Sequence, residues 1–401
     1  MMCRDRNKLI IKKLLAIVIS IMMLCACSLT ESGSTSDIMQ SDISVSELSD
    51  DITGALAKEY GQFSFSPSVM YQVPSEVSDI TLTTKTDFTK NAYDIIPALL
   101  NGEKLSDGKY TLTSDERNGG NVLYRDEKAK LHANVSDNGF TAMFKYDMFD
   151  MRFMEGDIQK NILRGEDGFE NAPLFSDASE VTTAAAIKAA EGFVGEAIAP
   201  YEQPFTLIPC EIRVIEYQDR PYVRVMFYRF YKGVKLAVCD DWNSFGENGN
   251  ESFTYIANAT LDVYLNKDLE VNGFTNGGFS FDVTQGQKRD SIIPLSAALD
   301  KAAKEFSDRL ELDVVSVNLK YIPSREVPAD ETVIGGFGIP YKTRTVWEVL
   351  IKPAADVSPA AAEISAGSVL LPFYVNIDAA TGDIDFYLGT ADDGSFRPRL
   401  Y

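Results

Sequence analysis

Apolar positions along this chain switch between two periods, and the switches outline its elements. Ile80-Thr81-Leu82-Thr83-Thr84-Lys85-Thr86 alternates as a strand with one wet face does. Tyr93 to Leu100 is an apolar run that reads as a short helix stopped by Asn101-Gly102. A meander is predicted over 108–146, with Ser136-Asp137-Asn138-Gly139 as its tightest turn, because Asn-Gly supplies the positive φ angles of a two-residue hairpin. A helix follows at Ala178–Ala199, with Ala186, Ala190, Phe193, Ala197 and Ile198 along one stripe and Pro200 as its stop. Long strands are predicted at Phe205–Tyr217, Tyr222–Tyr231, Val234–Cys239, Thr254–Asn266 and Leu269–Phe274.

The order then repeats. Pro294 opens a second helix in which Leu295, Ala298, Leu299, Ala302, Ala303, Phe306 and Leu310 form the clearest amphipathic stripe in the chain. Strands at Val314–Ile322, Lys342–Lys352, Val369–Asp378 and Asp383–Leu388 come after it. A helix followed by antiparallel strands, twice, predicts an α+β fold with each helix packed on one sheet face. It speaks against the alternating βαβα order of a periplasmic solute-binding fold.

The amino terminus has a different pattern. Arg4, Arg6, Lys8, Lys12 and Lys13 precede an apolar run from Leu14 to Leu24, too short for a comfortable membrane span. Leu24-Cys25-Ala26-Cys27-Ser28 then resembles a bacterial lipobox, with Leu three residues before Cys27 and a small residue next to it. This spacing predicts cleavage before Cys27 and a diacylglycerol thioether, with palmitate-type chains, on its sulfur. Two acyl chains hold a protein on a membrane because each buried methylene contributes about 0.8 kcal/mol. Cys25 offers a shifted site, but Met23-Leu24 before it is a poor match.

Residues 28–53 hold 17 Ser, Thr, Asp or Glu among 26 and no basic residue, and read as a flexible tether. Such a tether would reach roughly 30 Å, and its deletion is expected to leave folding unchanged. The resulting map is a lipoprotein signal peptide at 1–26, a tether at 27–58 and a β-rich amino-terminal module at 59–165. A first helix-plus-sheet module covers 176–290 and a second covers 291–401.

Composition narrows the chemistry. The chain has 401 residues, 45% hydrophobic and 24% charged, enough for two or three cores. Its net charge of −21, or −25 once the five basic residues and one acidic residue of the signal are removed, predicts no nucleic-acid partner. The single histidine, His132, lies in a predicted strand and reads as structural, which removes multi-histidine metal sites and most routes to Ser-His-Asp or Cys-His catalysis.

Gly335-Gly336-Phe337-Gly338-Ile339-Pro340 precedes a strand and reads as a hairpin loop, not a phosphate cradle. The acidic loop 240–251 lacks calcium-ligand spacing, because Phe245 and Ser252 fall where oxygen ligands belong. No catalytic residue, cofactor or metal is therefore assigned. Tyr217, Tyr222, Phe227, Tyr228, Phe230 and Tyr231 make one hairpin aromatic, and Tyr228, Phe230, Tyr231 and Trp242 are the candidate binding surface. One core face with cross-strand pairs is the plainer reading of the same residues. Cys210 and Cys239 are expected on opposite flanks of the middle strand, facing Tyr228 and Met226, about 10 Å apart and so unlinked.

Several segments resemble a known family. Leu295 to Phe306 resembles the helix of PepSY-like domains, Trp347-Glu348-Val349 their central strand, and Phe373 to Ile384 their closing hairpin. Phe227-Tyr228-Arg229-Phe230-Tyr231-Lys232-Gly233-Val234 resembles a signature of YycH/YycI-type and tandem-PepSY extracytoplasmic proteins. The match covers 291–390 well and 178–290 more loosely, and the whole resembles Firmicutes-type (Gram-positive) envelope lipoproteins. The resemblance implies tandem PepSY-like modules that bind without catalysis, acting on a protease or a sensor kinase. It departs from YycH/YycI proteins, which a transmembrane helix holds in place.

The expected protein is thus a non-enzymatic binding or regulatory lipoprotein on the extracellular face of the cell membrane. Its anchor is Cys27, and its partner an envelope protein. Two other readings remain: an envelope hydrolase using an Asp/Glu pair, and a small-molecule-binding lipoprotein with an apolar pocket.

Overall fold

The computed structural model describes residues 42–85, 110–115, 119–126, 131–136, 141–145, 157–166, 168–217, 220–236, 260–276, 281–304, 312–324, 340–353 and 373–387. It begins inside the expected tether, and there the expectation fails. After β1 (Ile43–Ser44) a 3-10 turn at Val45–Glu47 is held by a capping box: the Ser46 N–H donates to Ser44 Oγ at 3.2 Å and the Ser44 N–H to Glu47 Oε2 at 3.1 Å. Helix α1 (Leu48–Leu56) follows and buries Leu48, Ile52 and Ala55. These three fall at i, i+4 and i+7, so a sequence dense in Ser and Asp still carries one apolar stripe, and core burial outweighs composition. Residues 27–41 lie outside the described residues, as does the predicted helix at 93–100.

Strands β2 (Phe63–Tyr71), β3 (Ser78–Thr84), β4 (Tyr110–Asp115), β5 (Gly119–Asp126), β6 (Leu131–Ser136), β7 (Thr141–Lys145) and β8 (Asp157–Leu163) come next. The predicted meander is present: β4, β5, β6 and β7 pair in order, and His132 sits in β6 opposite Arg125 and Phe144. These strands do not make a separate module, however. β2 and β3 join one sheet while β7 and β8 join another.

The helix predicted from Ala178 starts later. Residues Ala178–Thr182 form β10, which pairs with β9 (Pro173–Phe175). Helix α2 spans Thr183–Phe193, with Thr182 as its cap, accepting from the Ala185 N–H at 3.4 Å, and a π-helical turn at Val194–Ile198 precedes Pro200. The β-branched run Val181-Thr182-Thr183 favours extended backbone at that entry.

β11 (Thr206–Tyr217), β12 (Arg220–Tyr231), β13 (Val234–Leu236), β14 (Thr260–Leu265) and β15 (Val271–Asn276) fall on the strands predicted there, as far as residues are described, and β16 (Phe281–Lys288) is a further strand that the pattern did not predict. Lys232 and Gly233, at φ 51° and 87°, turn β12 into β13. After β17 (Ser291–Ile292) comes α3 (Leu295–Lys304), then β18 (Leu312–Ser324), β19 (Pro340–Pro353), β20 (Phe373–Asp378) and β21 (Ile384–Tyr387). The hairpin predicted between the last two is closed by Asp378, whose Oδ1 accepts from Ala380 and Thr381 N–H groups, and by Gly382 at φ 73°.

The chain is a sheet-rich α+β fold. One sheet runs β8-β11-β12-β14-β15-β7-β6-β5-β4, every neighbour antiparallel. The other runs β2-β18-β19-β20-β21, with β3 on the free part of the β19 edge and β16 on β3. β13 bridges them, pairing antiparallel with the end of β12 and parallel with β18 through Lys235↔Lys320 and Leu236↔Tyr321. These pairings branch and do not close into a ring.

Each sheet has its own core. α2 covers Ile212, Val214, Val223, Val225, Leu261, Val263 and Phe274 of the first. α3 and α1 cover Val317, Leu319, Trp347, Val349, Val375 and Ile377 of the second. Trp347 is fully buried, and its indole N–H donates to the Ile293 carbonyl at 3.0 Å, so its one polar group is satisfied.

Candidate functional site

The faces turned away from the helices are the unusual part of the fold. Strand alternation places Ser316, Asn318 and Lys320 on the face of β18 opposite Val317, Leu319 and Tyr321, with a bulge at Val315. Those polar residues are buried all the same. Glu348, between Trp347 and Val349 on β19, points the same way, and Lys235 reaches it from β13.

Lys235 Nζ lies 2.6 Å from Glu348 Oε1 and Lys320 Nζ lies 2.8 Å from Glu348 Oε2. Each ammonium also stands 4.4 Å from an aromatic centroid, Lys235 over Tyr228 and Lys320 over Tyr374. Burial alone would raise the Glu348 carboxyl, but the two ammonium groups outweigh it and pull the group down to about 2. Beside this cluster the Tyr228 hydroxyl donates to Glu211 Oε2 at 3.1 Å, and Arg213 Nε lies 2.6 Å from Glu211 Oε1. Burial and the Glu211 charge hold the Tyr228 hydroxyl well above its ordinary value. The cluster joins the two sheets, and the triad of Lys235, Glu348 and Lys320 at its centre is buried.

An open groove of about 490 Å3 lies next to it. One wall is the end of β2, Ser68 to Gln72; the other is the turn from Arg164 to Glu170. Pairing of β2 with β18 slips between Phe65 and Met70, so Ser66 to Val69 bulge from the ladder and Tyr71 is left 38% exposed on the rim.

Gly165 makes the opposite wall possible. At φ 104° it lies against β18 and β2, where an added Cβ would overlap the Val315 carbonyl and approach the Met70 nitrogen to 2.8 Å. The turn is pinned further by the Arg164 N–H to the Cys210 carbonyl at 2.8 Å and by the Leu163 N–H to Glu166 Oε2 at 2.7 Å. Glu166 Oε1 takes Lys352 as its ion-pair partner. Met70 and Arg164 line both this groove and a small cavity that extends behind it to Lys235, Cys210 and Tyr228.

The candidate binding surface read from sequence does not survive as a surface. Phe230 and Tyr231 are buried, at 1% and 8% exposure, and Tyr228 is half-buried against Lys235; Trp242 lies outside the described residues. Side chains on both faces of this strand are buried along most of its length, so the aromatic hairpin is core and cross-strand contact.

Arg229 of the same motif is a staple. Its guanidinium holds Glu202 at 2.7 and 3.0 Å and Asn276 at 2.8 Å, all buried.

Cys210 falls in a bulge of β11, where Pro209 faces Phe227 and Glu211 faces Met226, so it is Ile208 that faces Tyr228. The thiol is free and buried, and burial pushes it up to about 12. β12 lies between β11 and β13 as expected, but β13 is only three residues long and Asp262 of β14 takes the place beside Met226. Cys239 itself, the acidic loop 240–251, the 335–339 glycine loop and Cys27 are outside the described residues.

Sequence reasoning missed the groove. Its walls are about 95 residues apart in the chain, and they meet on β18, with which β2 pairs and against which the Gly165 turn packs. Gly165 was the available signal, being a glycine two residues after the end of β8, but nothing local shows what it packs against.

No family model matches the chain, and no curated protein matches it. Among solved structures it is similar to an uncharacterized protein from Eubacterium rectale ATCC 33656. The two share 10% identity over 85% of this chain and 99% of the other, with a TM-score of 0.49. That likeness assigns neither a residue nor a role.

Proposed function

We propose that this chain is a binding or regulatory lipoprotein, held on the outer face of the cell membrane by acyl chains on Cys27 and engaging an envelope protein, a sensor kinase or a protease, without catalysis. The two halves, each with a helix packed on one face of a sheet, are read as tandem PepSY-like modules. The observation that carries the binding role is the groove at 68–72 and 164–170. Tyr71 and Val73, the large apolar side chains most exposed among the described residues at 38% and 41%, stand on or beside its rim. Membrane attachment is supported by the Leu24–Ser28 motif alone.

Two experiments test the reading. Metabolic labelling with a fatty-acid analogue should mark the protein and not its Cys27→Ala variant; equal labelling of both removes the anchor. A photo-crosslinking residue at position 71, introduced in intact cells, should capture one envelope protein reproducibly. Capture of polysaccharide instead would favour the hydrolase reading, and no adduct at all would remove the groove from function.

A further inference from the structure

We infer that the small cavity behind the groove is a water site, where one ordered water solvates the buried Lys235 ammonium at the joint between the two sheets. The cavity measures about 10 Å3. That is about the space one water molecule needs, so a carboxylate, a phosphate or a sugar does not fit. Its lining comes from both sheets. Cys210 and Tyr228 belong to the first, Ser316, Asn318 and Leu350 to the second, and Lys235 to the strand that bridges them.

Size alone does not make a cavity wet. Empty cavities in proteins are apolar, and a trapped water takes two to four polar partners. Three stand around this one. The Lys235 ammonium carries three N–H donors. Glu348 Oε1 takes one at 2.6 Å and the Tyr228 ring stands over the group at 4.4 Å, which leaves a donor for the cavity that Lys235 also lines. Ser316 adds a hydroxyl, which both donates and accepts. Asn318 Oδ1 accepts from the Gln72 N–H at 3.1 Å and keeps a second lone pair. All three residues are buried, so a polar atom left unmatched there loses its hydration without return. One water accepting from Lys235 and donating to Ser316 and Asn318 removes that loss. Met70 and Arg164 line both the cavity and the groove, which gives the water a way in from solvent. The water belongs to the joint between the sheets and is held there whatever the groove binds.

A high-resolution crystal structure of the full-length protein in detergent should show one water peak in the cavity. The peak should lie within about 3.2 Å of Lys235 Nζ and of either the Ser316 hydroxyl or Asn318 Oδ1. Two variants separate a wet cavity from a dry one in solution. Ser316→Val removes the hydroxyl and fills the space with a methyl group, whereas Ser316→Ala removes the hydroxyl and leaves the space open. With water present, Ser316→Val expels it from Lys235, and its thermal midpoint should fall about 2–4 °C below that of Ser316→Ala. A dry cavity reverses the order, because filling a hole stabilises and enlarging it destabilises. A midpoint for Ser316→Val at or above that of Ser316→Ala therefore overturns the water site. So does a cavity without density in the unaltered protein, or a peak with the anomalous signal of a chloride ion.

Discussion

The two helix-and-sheet halves are built by different routes. In the first, the helix and the strands it covers are near in sequence: Thr182 caps the helix that follows it, β8 pairs with β11 and β11 with β12, and the staple of Arg229, Glu202 and Asn276 ties residues within about 75 positions, with the pairing of β15 with β7 as the long-range exception. The second is assembled from distant pieces. The α3 amino terminus is capped from outside, by Asp51 of α1, whose Oδ2 accepts from the Leu295 N–H at 2.7 Å. Its sheet takes β2 and β3 from more than 200 residues upstream. The second half therefore pays more chain entropy for each contact and depends more on burial to recover it.

The largest effect is expected at the joint between the halves. Glu348→Ala leaves the ammonium groups of Lys235 and Lys320 buried without the carboxylate they share, and should cost about 3–5 kcal/mol in a urea titration. A loss under about 1 kcal/mol would mean that the halves are joined by β13 backbone pairing and not by charge.

The same group sets an acid limit. Because the folded carboxyl lies at about 2, below its usual 4.5, its stabilisation is full above 4.5 and is lost as pH falls from there towards 2. Thermal midpoints measured through that window should fall in the unaltered protein. Glu348→Gln should already be destabilised and fall less steeply, and parallel curves would assign the acid sensitivity to other carboxylates.

Next comes the dependence of the second half on residues before it. Ile52→Ala empties a site that is 1% exposed under α3 and should cost about 2–5 kcal/mol, whereas a true tether would give no change. Deleting 28–53 should destabilise for the same reason. If Ile52→Ala leaves the urea midpoint in place, α1 is dispensable and both halves are local after all.

The smallest effects are the two caps. Thr182→Ala and Asp51→Ala should each cost about 1 kcal/mol. Burial raises the Asp51 carboxyl, an effect its bond to Leu295 only partly offsets, so Asp51→Asn, which keeps the acceptor oxygen, should lose less than Asp51→Ala. Equal loss in the two Asp51 variants would show that the charge matters and not the acceptor.

Much of the secondary structure was legible because it rests on period and punctuation, which are local. The α3 stripe and the strands predicted at 205–217, 222–231, 314–322 and 342–352 correspond to α3, β11, β12, β18 and β19. Helix α1 was hidden because three apolar residues in a Ser/Asp-rich segment give little signal until something covers them. Helix α2 began late because a polar cap residue and β-branched neighbours can end a strand as readily as they start a helix.

The site was the least legible part. Ser316, Asn318 and Lys320 alternate with Val317, Leu319 and Tyr321 as a wet face would, and Arg164 reads as one more surface charge. What the sequence alone determined was which residues share a face of each strand and helix, since backbone geometry sets those periods whatever lies opposite. Only the tertiary structure decided what each face meets. Parallel pairing of β2 and β13 with β18 places the polar faces against each other and opens the groove beside Arg164, because contacts across that distance depend on the joint packing of both halves and leave no periodic trace in either.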